Sequence, residues 1–382
     1  MGAGMTGAVQ KGALGEKTVG SATLLVTGGA GFIGSCFIRH LFEQPGFSGK
    51  VVNFDKLTYA GNPANLTDIE KQQGGKRYFF EQGDICDHDR VLAVLKKSGA
   101  TVVVHFAAES HVDRSILGPQ DFVRTNIQGT FTLLEACRSA WEGKRDVRFH
   151  HISTDEVYGS LGETGLFLET TPYDPRSPYS ASKASSDHLV RAYFHTYQLP
   201  VTISNCSNNY GPYQFPEKLI PLMLLNAMGG KPLPLYGDGK NVRDWLFVDD
   251  HCSAVWSILT GGLSGETYNI GGECERQNRQ IVEKVCEILE TLRPARGNAA
   301  LNGRAYSDLI TYVSDRPGHD RRYAINCDKI KRDLEWKQRF TFEEGLRKTI
   351  EWYLAHTEWV RGIQTGEYRK WVETNYAARP VP

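Results

Sequence analysis

Thr23-Leu24-Leu25-Val26-Thr27-Gly28-Gly29-Ala30-Gly31-Phe32-Ile33-Gly34 runs from an apolar strand through a glycine-rich turn into the start of a helix. At such a junction the backbone N–H groups and the positive end of the helix face outward. Glycine there permits the tight turn and the close approach of a phosphate. The next strand-like run, Lys50 to Asp55, ends in an acid. An acid at that point can hydrogen-bond both ribose hydroxyls of NAD and repels a 2′-phosphate, although Lys56 beside it leaves NADP open. The expected cofactor is NAD, with Gly28, Gly31 and Gly34 at the pyrophosphate and Asp55 on the ribose.

The same alternation continues outward from this turn. Thr23 to Thr27, Lys50 to Asp55, Arg77 to Glu81, Thr101 to Ala107 and Val147 to Ser153 are short, apolar and bounded by turn residues. Amphipathic stretches lie between them, among them Phe32 to Glu43, His88 to Ser98 and Phe122 to Ala140. This pattern predicts a doubly wound parallel α/β sheet, Rossmann-type, with ligands at the carboxyl ends of its strands. A helix is expected from Ser177, its cap, and Pro178, its first residue, to about Gln198, because Pro200 stops it. Beyond the strand Val201 to Cys206 the pattern loosens, with helices near Glu217 to Met228 and Gln280 to Leu292. The expected division is a disordered leader over 1–22 and a NAD-binding domain over 23–207, with returning segments at about 242–272. A smaller cap takes mainly 208–241 and 273–382.

Composition narrows the partners. Forty-four basic and 44 acidic residues cancel, so no field recommends nucleic acid or an anionic membrane. The eight cysteines stand singly with no CxxC pair, which speaks against a metal site and fits a reducing cytoplasm. No run approaches the roughly 18 apolar residues of a membrane helix, and the first 22 residues hold no signal-peptide core. A cytoplasmic protein is the expectation.

Two further stretches carry chemistry. Tyr179 and Lys183, in Tyr179-Ser180-Ala181-Ser182-Lys183, are four apart and share a helix face. A phenol has a pKa of about 10, so it works as a base at neutral pH only if cations nearby pull it down. Such a pair, with Thr154 at a strand end, suits hydride transfer to a nicotinamide. Asp155 and Glu156 follow Thr154 directly, at the carboxyl edge of the sheet, and adjacent side chains there act on different substrate atoms. An acid and a base beside a redox pair can expel water between an oxidation and a reduction.

The runs TGGAGFIGS, FDKLTYAGN, AAESHVDRS, HISTDEVYG, SPYSASKASSDHLV, SNNYGPYQFPEKLIPL, GDGKNVRDWL, ETYNIGG and DRPGHDRRYAI together resemble the extended short-chain dehydrogenase/reductases, and within them the dTDP-glucose 4,6-dehydratase family. The resemblance covers roughly Thr23 to the C-terminus. It implies that NAD contacts Phe32, Ile33, Asp55, Lys56, Leu57, Thr58, Asp84, Ile85, Phe106, Ala107, Ala108, Thr125, Tyr179, Lys183 and Asn209. It implies that the smaller cap is nucleotide-sugar-binding and that a nucleotide-sugar, dTDP-glucose, contacts Ser110, Thr154, Asn208, Lys218, Leu219, Pro234, Leu235, Tyr236, Arg243, Asn278, Arg316 and His319. Catalysis is then expected from Thr154, Asp155, Glu156, Tyr179 and Lys183. A homodimer is also implied, sharing the helices Phe122 to Ala140 and Pro178 to Gln198. A UDP-glucose 4,6-dehydratase keeps every catalytic residue and remains the alternative. A UDP-sugar 4-epimerase, an ordinary dehydrogenase or a non-catalytic NAD sensor fits Asp155-Glu156 and Tyr179/Lys183 less well.

Overall fold

Leu24-Leu25-Val26 and Val102-Val103-Val104 have no side chain facing water, as strands covered by helices on both faces require. The structure, a computed structural model, describes residues 12–364. Its strands are β1 Thr23–Thr27, β2 Lys50–Asp55, β3 Tyr78–Gln82, β4 Val102–His105, β5 Arg148–Thr154, β6 Val201–Cys206, β7 Asn208–Tyr210, β8 Leu233–Tyr236, β9 Val242–Phe247, β10 Thr267–Ile270, β11 Glu275–Gln277 and β12 Ile310–Val313. Seven of them form one parallel sheet in the order β10-β6-β5-β4-β1-β2-β3. The order reverses between β1 and β4, so the turns after these strands splay apart and open a crevice.

Alternate residues of each central strand feed opposite cores. Leu24, Val26, Val102 and Val104 pack with Phe37, Ile38 and Leu41 of the helix Phe32–Glu43 and with Val255 and Leu259 of the helix Val248–Gly261. Leu25, Val52, Val103 and Phe149 pack with Val91, Leu95, Leu133, Leu134 and Val190 on the other side. A third core, around Tyr210, Trp245 and Phe247, joins the helices Leu219–Met228, Asn278–Leu292 and Phe342–Ala355 over the carboxyl edge. Among the described residues no helix is long and apolar enough to cross a membrane.

The structure departs from the sequence reading in several places. Part of the expected leader is folded, with Glu16–Ser21 forming a helical turn whose Val19 is fully buried. Gly15 N–H donates to the Thr260 carbonyl at 2.9 Å, Arg148 Nη2 donates to the Gly12 carbonyl at 3.1 Å, and a Cβ on Gly20 would run into the Gly46 carbonyl. Glycine and alanine therefore serve close packing here. Residues 1–11 of the expected leader and 365–382 of the expected cap lie outside the described residues.

The strand Val242–Phe247 does not return to the main sheet. It pairs with β7 and β11 in a three-stranded sheet, and only the helix Val248–Gly261 and β10 rejoin the main layer. The expected helix over Phe122 to Ala140 is not uniform, because Val123–Gly129 is wound as a π-helix before Thr130–Ala140. Inside it, Asn126 Oδ1 accepts from Glu109 N–H at 2.9 Å, and its Nδ2 donates to the Glu109 carbonyl at 2.9 Å and to Ser182 Oγ at 2.8 Å. Such wide turns cluster at functional sites. A 3.6-residue pattern cannot reveal one.

Candidate active site

The glycine turn is closed by contacts only glycine allows. A Cβ on Gly28, whose φ is +70°, would lie 2.6 Å from the Ala107 nitrogen, and one on Gly34 would strike the Gly28 carbonyl. Asp55, at the end of β2, is fixed by Ala30 N–H on Oδ2 at 2.9 Å and by Leu57 N–H on Oδ1 at 2.8 Å. Each oxygen keeps a lone pair for a ribose hydroxyl. Leu57 itself, at φ 59°, is the one expected cofactor contact that does not line the cavity, because its backbone is spent on holding Asp55. The other expected cofactor residues surround a cavity of about 510 Å³. This cradle fits a dinucleotide.

Thr154 ends β5 and caps the turn that follows, its Oγ1 accepting from Glu156 N–H at 3.3 Å. Val157 and Tyr158 anchor that turn in the core. Tyr158 donates to Asn269 Oδ1 at 2.9 Å and stacks on Phe167 at 5.2 Å. Gly159, at φ +88°, then reverses the chain, and a Cβ there would lie 2.5 Å from the Asp174 carbonyl. The tight turn drives Asp155 inward, to 1% exposure, and leaves Glu156 facing the cavity.

Ser177 caps the helix Pro178–Tyr197 as its sequence predicts, accepting from Ser180 N–H at 3.0 Å. That helix delivers Tyr179 and Lys183 to the same cavity wall as Thr154, Asp155 and Glu156. Lys183 Nζ donates to the Ile152 carbonyl at 2.8 Å. Phe122 packs edge-on against Tyr179 at 6.2 Å.

A second cavity of about 170 Å³ meets the first at Glu156, Asn208, Glu217, Lys218, Leu219 and Trp245. Pro234, Leu235, Tyr236, Arg243, Asn278, Arg316 and His319 line it, while Ser110 and Thr154 line the larger one. Arg243 is held by the Val242 and Asp320 carbonyls at 2.7 and 2.9 Å, with its guanidinium 4.2 Å from the Tyr323 ring centre. Arg316 keeps a buried Nη1 with no partner, 3.5 Å separating its Nε from Asp113 Oδ1. An unspent guanidinium donor at a cavity wall is the chemistry of an anion site.

Burial sets the acids apart. Asp155 is pushed well above the ordinary carboxyl value by burial first, then by Glu156 and Asp244, which favours its protonated form. Burial also raises Glu156, but Arg316, Arg243 and Lys218 pull it back. Both carboxyls are raised, but only Glu156 has cations beside it to offset its burial to this extent, and such unequal environments are how two acids come to divide acid–base roles. Burial lowers Lys183 to about 8, and burial with the charge of Glu156 raises Tyr179. The protein alone therefore does not depress the phenol.

The raised Asp155 has a stability consequence. Its proton is bound more tightly in the folded chain, so its contribution is favourable below the ordinary value of 3.8 and is lost as pH rises toward the folded value. Asp155→Asn has no such proton to lose. Its Tm should exceed that of the parent by a margin that grows from about pH 4 to about pH 7; calorimetry showing a flat or negative difference would contradict this account.

Several lining residues escaped the sequence reading. Glu217, Trp245, Asp113 and Tyr323 line the cavities, and Tyr59 lines the larger one. Glu217 Oε2 accepts from Arg114 Nε at 2.9 Å, and Arg114 lies 3.9 Å over the Tyr59 ring. Tyr59 and Glu217 stand inside the runs FDKLTYAGN and FPEKLIPL, but nothing local shows that their side chains turn inward.

A Rossmann-type sheet, a glycine-turn dinucleotide cradle and a Tyr/Lys pair beside two buried acids define an extended short-chain dehydrogenase/reductase equipped for elimination. The GDP-mannose 4,6 dehydratase family model matches residues 25–349. An Escherichia coli dTDP-glucose 4,6-dehydratase is 55% identical over 370 residues, covering 93% of this chain and 99% of its own. The dTDP-glucose 4,6-dehydratase DesIV of Streptomyces venezuelae, solved with NAD and TYD bound, superposes with a TM-score of 0.81 at 45% identity, covering 90% of this chain and 100% of its own. That of Bacillus anthracis, in complex with NAD, gives a TM-score of 0.79 at 46% identity over 90% of this chain and 100% of its own. The chain belongs to the dTDP-glucose 4,6-dehydratase family of the extended short-chain dehydrogenase/reductases.

Proposed function

We propose that this chain converts dTDP-glucose into dTDP-4-keto-6-deoxyglucose and water, as an NAD-dependent hydro-lyase. The observation that carries the reading is the buried acid Asp155 beside Glu156, on one cavity wall with Tyr179 and Lys183. Gly28, Gly31, Phe32, Ile33, Gly34, Asp55 and Lys183 hold the cofactor. NAD, when bound, supplies a positive charge, the hydride acceptor for C4 and the hydride donor for C6.

Tyr179, steadied by Lys183 and aided by Thr154, takes the proton of the C4 hydroxyl. Oxidation at C4 acidifies C5–H, and Glu156 removes that proton. Asp155 delivers its own to the departing C6 hydroxyl, after which water leaves. Glu156 returns the proton to C5. Lys218, Arg243 and Arg316 hold the diphosphate, and Pro234, Leu235 and Tyr236 flank the base. The cap keeps bulk water from the reacting carbons. Exposed Val123, Phe131 and Tyr197, on the helices expected at a shared face, support a homodimer.

Product analysis with dTDP-glucose and UDP-glucose side by side tests reaction and base preference together. The expected result is the 4-keto-6-deoxy sugar, formed faster from dTDP-glucose by about ten-fold, the worth of one well-packed methyl group. Net accumulation of NADH, or a 4-epimer as product, would overturn the reading.

A further inference from the structure

The helix Pro178–Tyr197 carries a third polar group in register with Tyr179 and Lys183. Asp187 stands four residues beyond the lysine, on the same face. It has 0% exposure and Lys183 has 4%. A carboxylate so buried persists only when paired and hydrogen-bonded. Its Oδ2 accepts from Ser153 Oγ and Tyr173 OH, each at 2.9 Å. Its Oδ1 lies 3.2 Å from His151 Nε2, and the same nitrogen lies 3.4 Å from Lys183 Nζ.

One imidazole edge therefore stands between the ammonium and the carboxylate. A single ring nitrogen cannot serve both at once: protonated it points to Asp187, unprotonated it accepts from Lys183. The other titratable groups facing Lys183 supply no negative charge. His105 on β4 and His151 on β5 are kept neutral by burial, and Cys206 on β6 is pushed up to about 12. Asp155 and Glu156 act on Tyr179 instead. Asp187 itself faces His151 and Ser153 from β5, Tyr173 from the loop before the helix, and Tyr158 from the catalytic turn. Arg191, one turn on, reaches Tyr173 OH at 2.8 Å rather than the carboxylate.

We infer that Asp187 is a positioning residue of the reaction: across His151 it supplies the buried counter-charge that keeps Lys183 an ammonium beneath Tyr179. The inference rests on the proposed role of the Tyr179/Lys183 pair. Burial already lowers Lys183 to about 8 against the opposing charge of Asp187, so removing that charge lowers it further. The lysine then loses its proton at a lower pH.

The test is the pH profile of kcat/KM for Asp187→Asn, with Ser153→Ala and Tyr173→Phe as variants that remove only neutral donors. Asp187→Asn should be about ten-fold less active than the parent at about pH 8 yet within about three-fold at about pH 6, its alkaline limb displaced toward acid. The two neutral-donor variants should leave that limb in place. A uniform loss at every pH, or an unmoved alkaline limb, overturns the inference and leaves Asp187 a structural residue. If Asp187→Asn folds poorly, Lys183→Met/Asp187→Asn should be the more stable of the two, because the unpaired ammonium is gone; equal or lower stability of the double variant overturns the inference as well. Tyr179→Phe reports separately on the underlying pair, since a fully active Tyr179→Phe sinks that reading whatever Asp187 does.

Discussion

Tyr179→Phe is expected to lower kcat by about 10³-fold while leaving nucleotide-sugar binding within about two-fold of the parent, the scale of a lost general base. The change deletes one oxygen from a ring that is 8% exposed and packed against Phe122, so the helix and the cavity wall stay in place. Lys218, Arg243 and Arg316, the proposed diphosphate contacts, line the second cavity from other elements, and contacts of that kind are equally present in ground and transition states. Calorimetric binding of dTDP-glucose next to single-turnover kinetics separates the two effects. Near-parental turnover would remove Tyr179 from the mechanism.

The second large effect divides oxidation from elimination, because the two steps fall to different residues. Glu156→Gln and Asp155→Asn keep the shape of the pocket and remove, respectively, the base and the acid of dehydration. Each should make the 6-deoxy product about 10² to 10³ times more slowly while still oxidising C4, so near-ultraviolet absorbance of reduced cofactor should build up on the enzyme. Glu156→Gln should also slow the exchange of C5–H with solvent deuterium, which Asp155→Asn should leave faster. Parental rates of 6-deoxy sugar formation in both, with no absorbance signal, would make the acidic pair irrelevant to catalysis.

These expectations draw unequally on sequence and structure. The order strand, glycine turn, helix and the cap at Ser177-Pro178 were legible because each depends on a few consecutive residues and their short-range sterics. So was the shared face of Tyr179 and Lys183, which follows from the helical repeat alone. The π-helical stretch Val123–Gly129 was not, because the bonds of its Asn126 to Glu109 and Ser182 lie outside any local repeat. Nor was the folded part of the leader, whose Val19 is ordered by packing onto the helix Val248–Gly261. The strand Val242–Phe247 looked like a return to the main sheet because strand pattern does not say which neighbour will supply the hydrogen bonds.

By itself the sequence determined that a dinucleotide turn, a Tyr/Lys pair and two adjacent acids lie at the carboxyl edge of one parallel sheet. What raises or offsets each acid's proton affinity was decided only by the tertiary structure. The tight turn over 155–158 buries Asp155, while Arg243 and Arg316 arrive from the cap beside Glu156 and favour its charge. The meeting of the two cavities at Glu156 and Lys218, and the placing of Asp187 across His151 from Lys183, belong to the same class. Local geometry is written in neighbouring residues, whereas burial and electrostatic potential are sums over groups that only folding brings together.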